Sequence, residues 1–214
     1  MIRLSKRPLP PDVTIESEQD YRKDIVLEIL AEDCHCKCYI CEDKPATINV
    51  EHIVPHRSDP ELKYNWYNLF IACGHCNNTK LAEYDSILDP TKCDPEEHIA
   101  LSASMTDDII DRVRVESLKA DNSTLMTAEL LNLVYNGGTT AIKKLESSNL
   151  RNSHIMPNIR LFYQYIENYR KEPNSGYGSI IRKEIERSSI FAAFKRKIIR
   201  DNPDLSEVFS DALE

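Results

Sequence analysis

Apolar residues at helical spacing follow a proline-rich start. Residues 1–12 are expected to be extended because three prolines interrupt them. Ser17 followed by Asp20 resembles a helix N-terminus. Beyond it, apolar residues recur every three or four positions, at Tyr21, Ile25, Val26, Ile29 and Leu30. The pattern predicts an amphipathic helix that leads into a cysteine-rich stretch.

Two short strands and a helix are predicted next. Residues 48–53 (INVEHI) are β-compatible and end before Pro55, and residues 69–72 (LFIA) suit a second, buried strand. The polar loop between them contains Trp66. From Gly74 the sequence HCNNTKLAEYDSIL predicts a helix that Pro90 breaks. The predicted order is strand, loop, strand, helix.

The second half is predicted to be mainly helical. Residues 96–120 leave two alternatives open: strands at 98–101 and 113–115, or a helix over 107–114. Four helices are predicted after this stretch. The first, AELLNLVY, is capped by Thr127 and closed at Gly137-Gly138, and the second, AIKKLESS, is capped by Thr139 or Thr140. The third covers 157–171, and the fourth is a basic amphipathic helix at 179–200 after a loop at 173–178. We expect the aromatic stripe of 157–171 (Leu161, Phe162, Tyr165, Ile166, Tyr169) to pack in a core rather than to stack on bases.

The chain has 214 residues, of which 41% are hydrophobic and 29% charged. This composition is ordinary for a globular protein. No apolar run approaches the roughly 18 residues of a membrane span, and the N-terminus has no apolar h-region. Seven cysteines, four of them in Cys-x-x-Cys pairs, favour metal binding over disulfides. We therefore expect a cytoplasmic protein.

Charge is unevenly distributed. The net charge is −8, yet residues 151–200 contain eleven Lys and Arg against four Glu, about +7, which leaves about −15 elsewhere. This segment is either a basic, phosphate-binding face on an acidic body or a solvated helix surface. The sequence leaves both alternatives open.

The two Cys-x-x-Cys pairs, Cys38/Cys41 and Cys73/Cys76, predict a structural zinc site. Zinc prefers four tetrahedral ligands, and thiolates two residues apart can chelate it from one turn. The alternatives are reduced, buried thiols, or a site in which Cys34 or Cys36 replaces Cys38. We interpret Cys93 as a small, buried hydrophobic residue.

Between the cysteine pairs lies a Glu-His dipeptide, Glu51-His52. A neutral imidazole can take a proton from water near pH 7, which suits His52 to general-base chemistry. Adjacent strand residues point to opposite faces, so Glu51 would share a site with His52 only through a twist or bulge at the strand end. Asn77 follows the second cysteine pair, where its amide oxygen could bind a hard cation, and Lys80 could bind a phosphate.

The motifs EHIVP, WYNL and CGHCNNTK resemble the signature of the HNH nucleases, whose core is the ββα-metal fold. The resemblance implies an α+β fold with a zinc-stapled ββα-metal core in residues 1–95. Residues 96–214 would be a mainly helical region that binds a partner or substrate. It also implies the following roles: His52 as general base, Glu51 and Asn77 as ligands of a catalytic Mg²⁺ or similar divalent ion, Asn68 as the central Asn that holds the loop, and Lys80 as a phosphate contact. Glu51 stands where Asp is frequent and Asn77 where His is frequent; His56 and His75 are second-tier candidates.

Three outer motifs, MIRLSKRPLP, LLNLVYNGGTTAIKKL and SSIFAAFKRKIIRDNP, resemble the PtuB-type HNH nucleases of Septu-type and retron-associated anti-phage systems. That resemblance implies a nuclease effector with a PtuA-like ATPase partner of the ABC type. DNA is the expected substrate, with RNA such as a tRNA as an alternative. The alternative from another class is a non-catalytic, zinc-finger-like module that binds nucleic acid or protein.

Overall fold

The N-terminal third begins with an extended segment and one main helix. The computed structural model describes residues 1–106, 109–138 and 140–213. A 3-10 turn at Asp20–Arg22 precedes helix α1 (Asp24–Asp33). Lys23, rather than Ser17, stands at the N-cap of α1, while the Ser17 hydroxyl donates to Asp20 (2.7 Å). The apolar residues that recur at helical spacing are buried except for Ile25, which is 44% exposed.

The strand–loop–strand–helix order is confirmed. Strand β1 (Asn49–His52) pairs antiparallel with β2 (Leu69–Ala72). The connection contains the short helix α2 (Pro60–Lys63) and a 3-10 turn at Trp66–Asn68, and helix α3 (Gly74–Lys80) follows β2. The prediction that this helix continues towards Pro90 was wrong. Leu81 takes a left-handed φ of 47°, and the turn lets Ile87 and Leu88 pack into the core.

A β-hairpin occupies most of the stretch that the sequence left ambiguous. Strands β3 (Ile99–Thr106) and β4 (Ile109–Ser117) pair antiparallel, with Leu101 opposite Val115. The strand alternative was therefore correct. The helical alternative was wrong for residues 109–114, and its first two residues, 107 and 108, lie outside the described residues.

Three helical segments follow the hairpin. Helix α4 (Asn122–Asn136) is followed by α5 (Ala141–Asn149), which runs through a π-helical segment (Leu150–Ile155) into α6 (Met156–Lys171). Asp121, not Thr127, caps α4 by accepting from Thr124 N. Thr127 is buried inside the helix, where its hydroxyl donates to the Ser123 carbonyl (2.7 Å). Gly137 ends α4 as predicted, and Thr140 caps α5; Thr139 lies outside the described residues.

The helix predicted over 179–200 is two helices, α7 (Tyr177–Glu184) and α8 (Ala192–Arg200). Phe191 between them takes a left-handed φ of 53°. At this break Phe191 is fully buried in the larger apolar cluster, together with Phe194 one turn later. Helix α9 (Pro203–Val208) and a 3-10 turn (Ser210–Ala212) complete the described chain.

Two apolar clusters form the core. The larger joins residues from both halves, including Leu30, Phe70, Leu101 and Leu131. The boundary predicted between residues 95 and 96 stays a prediction. The smaller cluster is C-terminal and includes Phe162 and Ile166 of the aromatic stripe, with Tyr165 and Tyr169 packed against it. Leu161 is instead 45% exposed. None of the described helices combines the length and apolar character of a membrane span.

The cations of residues 151–200 are largely engaged within the protein. Among the described residues, at least seven of the eleven form ion pairs with carboxylates: Arg170, Arg182, Arg187, Lys195, Arg196, Lys197 and Arg200. Lys195 and Arg196 are also fully buried. These pairs neutralise much of the positive charge that the sequence offered to a phosphate-binding face.

Candidate active site and metal centre

The four predicted zinc ligands come together. Cys38 and Cys41 lie in a turn after α1, and Cys73 and Cys76 lie at the start of α3. The four sulfur atoms lie within 4.8 Å of one another, with Cys41 and Cys73 3.9 Å apart. A backbone bond ties the first turn to β2, because Tyr39 N donates to the Ile71 carbonyl (2.9 Å). The donor set and spacing fit a closed tetrahedral zinc site.

The remaining cysteines lie outside this cluster. Cys36 is exposed, and Cys34 is buried, which raises its pKa to about 11. Cys93 is half-buried and donates to the Asp89 carbonyl (3.4 Å).

Within the cluster, burial holds the pKa of Cys76 well above its ordinary value. Three buried thiols and the half-buried Cys73 thiol can all ionise side by side only near a cation, which is the chemistry that Zn²⁺ supplies.

Asn68 closes the loop between β1 and β2. Its side-chain oxygen accepts from Val54 N (2.9 Å), and its amide nitrogen donates to the carbonyls of Val54 and Leu62 (both 2.9 Å). The side chain is 4% exposed, so these bonds are shielded from water. Asn68 therefore fixes the backbone that follows His52 from both sides.

His52 ends β1 with its ring half-buried. Its Nε2 lies 2.9 Å from the Lys63 carbonyl oxygen. A carbonyl can only accept, so Nε2 carries the proton and Nδ1 keeps a lone pair. Burial is the main cause that lowers the pKa of His52, and the nearby cationic groups Lys63 and Lys80 act in the same direction. The imidazole is therefore neutral at physiological pH.

Glu51 forms a buried ion pair with Lys80. Lys80 Nζ donates to Glu51 Oε1 and to the His52 carbonyl, both at 2.9 Å. The Lys80 side chain is 0% exposed and that of Glu51 12%. Burial raises the pKa of Glu51, while Lys80 opposes the shift. In this arrangement Lys80 holds Glu51 and does not face solvent, so its predicted phosphate contact stays a prediction.

An open cleft of about 380 Å³ brings the candidate residues together. We call it the first cleft; it is lined by Glu51, His52, residues 55–58, Asn77, Asn78 and residues 81–82. Glu51 and His52 thus reach one site from the end of β1, where His52 pairs with Leu69. Asn77 reaches it from α3. The His56 ring lies 4.8 Å from that of His52.

His75, the other second-tier candidate, has a structural environment. It projects from α3 towards the C-terminal helices, where Nε2 donates to the Val134 carbonyl (2.8 Å) and Nδ1 pairs with Glu146 (3.1 Å). It connects α3 to α4 and α5 and does not line the first cleft.

The comparisons with known proteins agree with this geometry. Residues 32–83 match the family model described as HNH endonuclease. They are an HNH domain. Over a 122-residue alignment, the chain is 35% identical to the Septu protein PtuB of Bacillus thuringiensis. The alignment covers 47% of this chain and 46% of that relative, so less than half of its length is spanned. No solved structure matched the chain.

The HNH domain also presents residues that sequence reasoning missed. Arg57 lines the first cleft with a side chain that is 63% exposed, and its Nη2 donates to Asp85 (2.8 Å). Lys63 supplies the carbonyl that sets the tautomer of His52. A backbone acceptor has no signature in sequence. The proximity of Arg57 to His56 in EHIVPHR was the one available signal.

Proposed function

We propose that this protein is a nuclease that hydrolyses phosphodiester bonds in nucleic acid at the first cleft. The observation that carries the proposal is the convergence of Glu51, His52 and Asn77 in one cleft of the HNH domain, beside a four-cysteine cluster. An acid, a neutral imidazole and an amide oxygen are the groups that metal-assisted hydrolysis needs.

His52 is the general base of this proposal. Its protonated Nε2 is held by the Lys63 carbonyl, so Nδ1 is the nitrogen that accepts a proton from water. The lowered pKa keeps that nitrogen unprotonated at neutral pH. Asn68 fixes the backbone beyond His52, which limits the movement of the ring.

Glu51 and Asn77 are the proposed ligands of a divalent cation. Lys80 occupies Oε1 of Glu51, which leaves the second carboxylate oxygen, together with the Asn77 amide oxygen, for a hard ion. An ion such as Mg²⁺, held by few protein oxygens and by water, would offset charge on the phosphate and on the leaving 3′ oxygen. Lys80 keeps Glu51 in place for that role.

We further propose a place in anti-phage defence. The support is the similarity to a protein named Septu protein PtuB. By the resemblance of its outer motifs, the chain would act with an ABC-type ATPase like PtuA, in a Septu or retron-associated system. The net charge of −8 suits a nuclease whose partner helps to capture the substrate. The substrate is DNA, with RNA as the alternative.

The test compares His52→Ala with wild type on DNA and on RNA, with and without Mg²⁺ and the ATPase. We expect cleavage to fall roughly a hundred- to ten-thousandfold, because general-base catalysis is lost. His154→Ala is the matched control, since His154 lies on the π-helical segment outside the first cleft, where its 41% exposed side chain pairs with Asp43. Equal cleavage by His52→Ala and wild type would show that the mechanism is wrong.

The same experiment separates the rival functions. A non-catalytic binding module would show nucleic-acid binding that is indifferent to His52 and Mg²⁺. Cleavage that requires the ATPase would support the defence-system assignment, whereas metal-dependent cleavage by the chain alone would support a free-standing nuclease.

A further inference from the structure

A second cleft adjoins the first. It has a volume of about 320 Å³, and its lining includes Ile53, Val54, Tyr67, Asp85 and Ile87. Ile53 and Val54 directly follow His52 and directly precede residues 55–58 of the first cleft. Residues 53–54 line the second cleft and residues 55–57 line the first, so we call the segment 53–57 the shared wall. A chain lying in the first cleft needs only to cross this wall to enter the second.

Tyr67 gives the second cleft an aromatic surface. The residue is 54% exposed, and its backbone is fixed because Tyr67 N donates to the Asn65 side chain (2.9 Å). Val54, 38% exposed, adds apolar surface on the shared wall, and Asn68 bonds the backbone of Val54 on both sides. An exposed aromatic ring on a fixed backbone, beside an apolar wall and rimmed by polar groups such as Asn65, is suited to a flat nucleobase.

Arg57 stands where a strand would cross the wall. Its Nη2 is held by Asp85 (2.8 Å) and by the Ala82 carbonyl (3.2 Å). Asp85 lines the second cleft while Arg57 lines the first, so the ion pair links the two. A guanidinium has five N–H donors in a fixed fork. Those not used by Asp85 and Ala82 are available to a phosphate.

The charges around the clefts argue against a wide duplex. Exposed acids flank both clefts in sequence, among them Asp59, Glu61 and Glu83. The nearby cations are few and each has an acidic neighbour: Lys63 pairs with Glu18, and Lys92, at the second cleft, pairs with Asp89. A duplex presents two phosphate backbones and needs a broad basic surface. A single strand needs one phosphate contact and a stacking surface, which Arg57 and Tyr67 provide.

We propose that the second cleft binds an unpaired base next to the scissile phosphate of a single-stranded nucleic acid. The base stacks on Tyr67, and Arg57 contacts the phosphate that crosses the shared wall. This inference rests on the proposed nuclease function of the first cleft, because it assigns the strand that runs out of that cleft.

The test measures binding of short fluorescent oligonucleotides by anisotropy, with single-stranded DNA, single-stranded RNA and the matching duplex as separate probes. We expect Tyr67→Ala to weaken single-strand binding about tenfold or more, the loss expected for one stacked base. Tyr67→Phe keeps the ring and should bind like wild type. Tyr163→Ala is the matched control, because Tyr163 is a 41% exposed tyrosine on α6 that lines neither cleft.

A second measurement identifies the contact as stacking. Replacing one base at a time by an abasic position should weaken wild-type binding at one position and leave Tyr67→Ala unaffected there. Arg57→Ala should weaken binding, and Arg57→Lys should restore it only in part because the fork is lost. The larger effect among the DNA and RNA probes identifies the sugar that the site accepts.

Equal single-strand affinity of wild type and Tyr67→Ala would overturn the proposal, as would a larger Tyr67→Ala effect on the duplex. Unchanged zinc content and melting temperature establish that Tyr67→Ala is folded. The result is separable from the nuclease test. If His52→Ala cleaves like wild type, the mechanism at the first cleft fails, whereas the Tyr67 comparison is a binding measurement and keeps its own outcome.

Discussion

At the scale of residues, the buried pair of Lys80 and Glu51 governs the first cleft. A lysine with 0% side-chain exposure is costly to bury, and here its ammonium is matched by one carboxylate oxygen and by the His52 carbonyl. Both partners belong to or adjoin candidate catalytic residues. Lys80 therefore fixes the position of Glu51 and the end of β1 at the same time.

Lys80→Met is expected to destabilise the protein by about 3–5 kcal/mol, since it leaves a buried carboxylate without its partner. Urea unfolding measures the change. The double variant Lys80→Met/Glu51→Gln removes the uncompensated charge and should recover part of the loss. If Lys80→Met keeps full stability but loses affinity for nucleic acid, Lys80 is a phosphate contact instead.

The pH dependence of cleavage should follow His52. The base works when neutral, that is, above its pKa, and burial lowers that pKa below the ordinary value of about 6.5. The bond to the Lys63 carbonyl raises the pKa of His52, whereas burial and the charges of His56, Lys80 and Lys63 lower it, and the Tyr21 ring packs edge-on against the imidazole. Activity should therefore persist as pH falls to 6.5 and decline only below it. An acid limb of kcat/KM centred above 6.5 would contradict this assignment.

At the scale of elements, the cysteine pairs and strand pattern predicted the ββα order because metal ligands and short apolar runs are local signals. The end of α3, in contrast, is not determined by a local signal. Residues 81–88 have a helix-compatible pattern, yet the chain turns at Leu81 so that Ile87 and Leu88 reach a core built by distant elements. The break at Phe191 has the same cause, since its burial depends on contacts with residues far away in sequence.

Some residues of the candidate site could likewise be predicted from the sequence, and others could not. Glu51, His52, Asn68 and Asn77 could be found from their motif. The burial of Lys80 could not be predicted, because the residue type alone does not show whether a lysine after a cysteine pair faces solvent or a carboxylate. The second cleft was also missed: the exposure of Tyr67 depends on how the 3-10 turn at Trp66–Asn68 lies against the following loop, which no spacing rule describes.

The four-cysteine cluster is expected to stabilise the ββα unit. Cys73→Ala should lower the zinc content and the melting temperature together, the latter by about 5–10 °C, because structural zinc provides folding free energy. Cys36→Ala is the matched control, since Cys36 is exposed and lies outside the cluster. Metal analysis and calorimetry on the purified variants measure both quantities. Normal zinc occupancy and unchanged melting of Cys73→Ala would refute the four-cysteine site.

At the scale of the whole molecule, the C-terminal cations connect distant parts of the chain. Arg196 is the clearest case, at 1% exposure. Its guanidinium pairs with Glu96 (2.7 Å) and donates to the carbonyls of Ile185, Ala212 and Leu213. One side chain thus ties α8 to the turn before the β-hairpin and to the C-terminal residues. A positive segment in sequence becomes internal structure here, and not a surface for phosphates.

Arg196→Met should therefore lower the free energy of unfolding by about 3–5 kcal/mol, because the buried Glu96 keeps only Arg200 among its described ion-pair partners and three backbone carbonyls lose their donor. Lys197→Met is the matched control: Lys197 is the next cation in α8, and its pair with the half-exposed Asp201 is worth about 0.5 kcal/mol or less. Urea unfolding of both variants gives the difference. If these cations instead formed a basic face for phosphates, Arg196→Met would unfold like wild type. Both variants would then lose affinity for nucleic acid. The expected order, a large loss of stability for the buried arginine and almost none for the exposed lysine, identifies these charges as ties between helices.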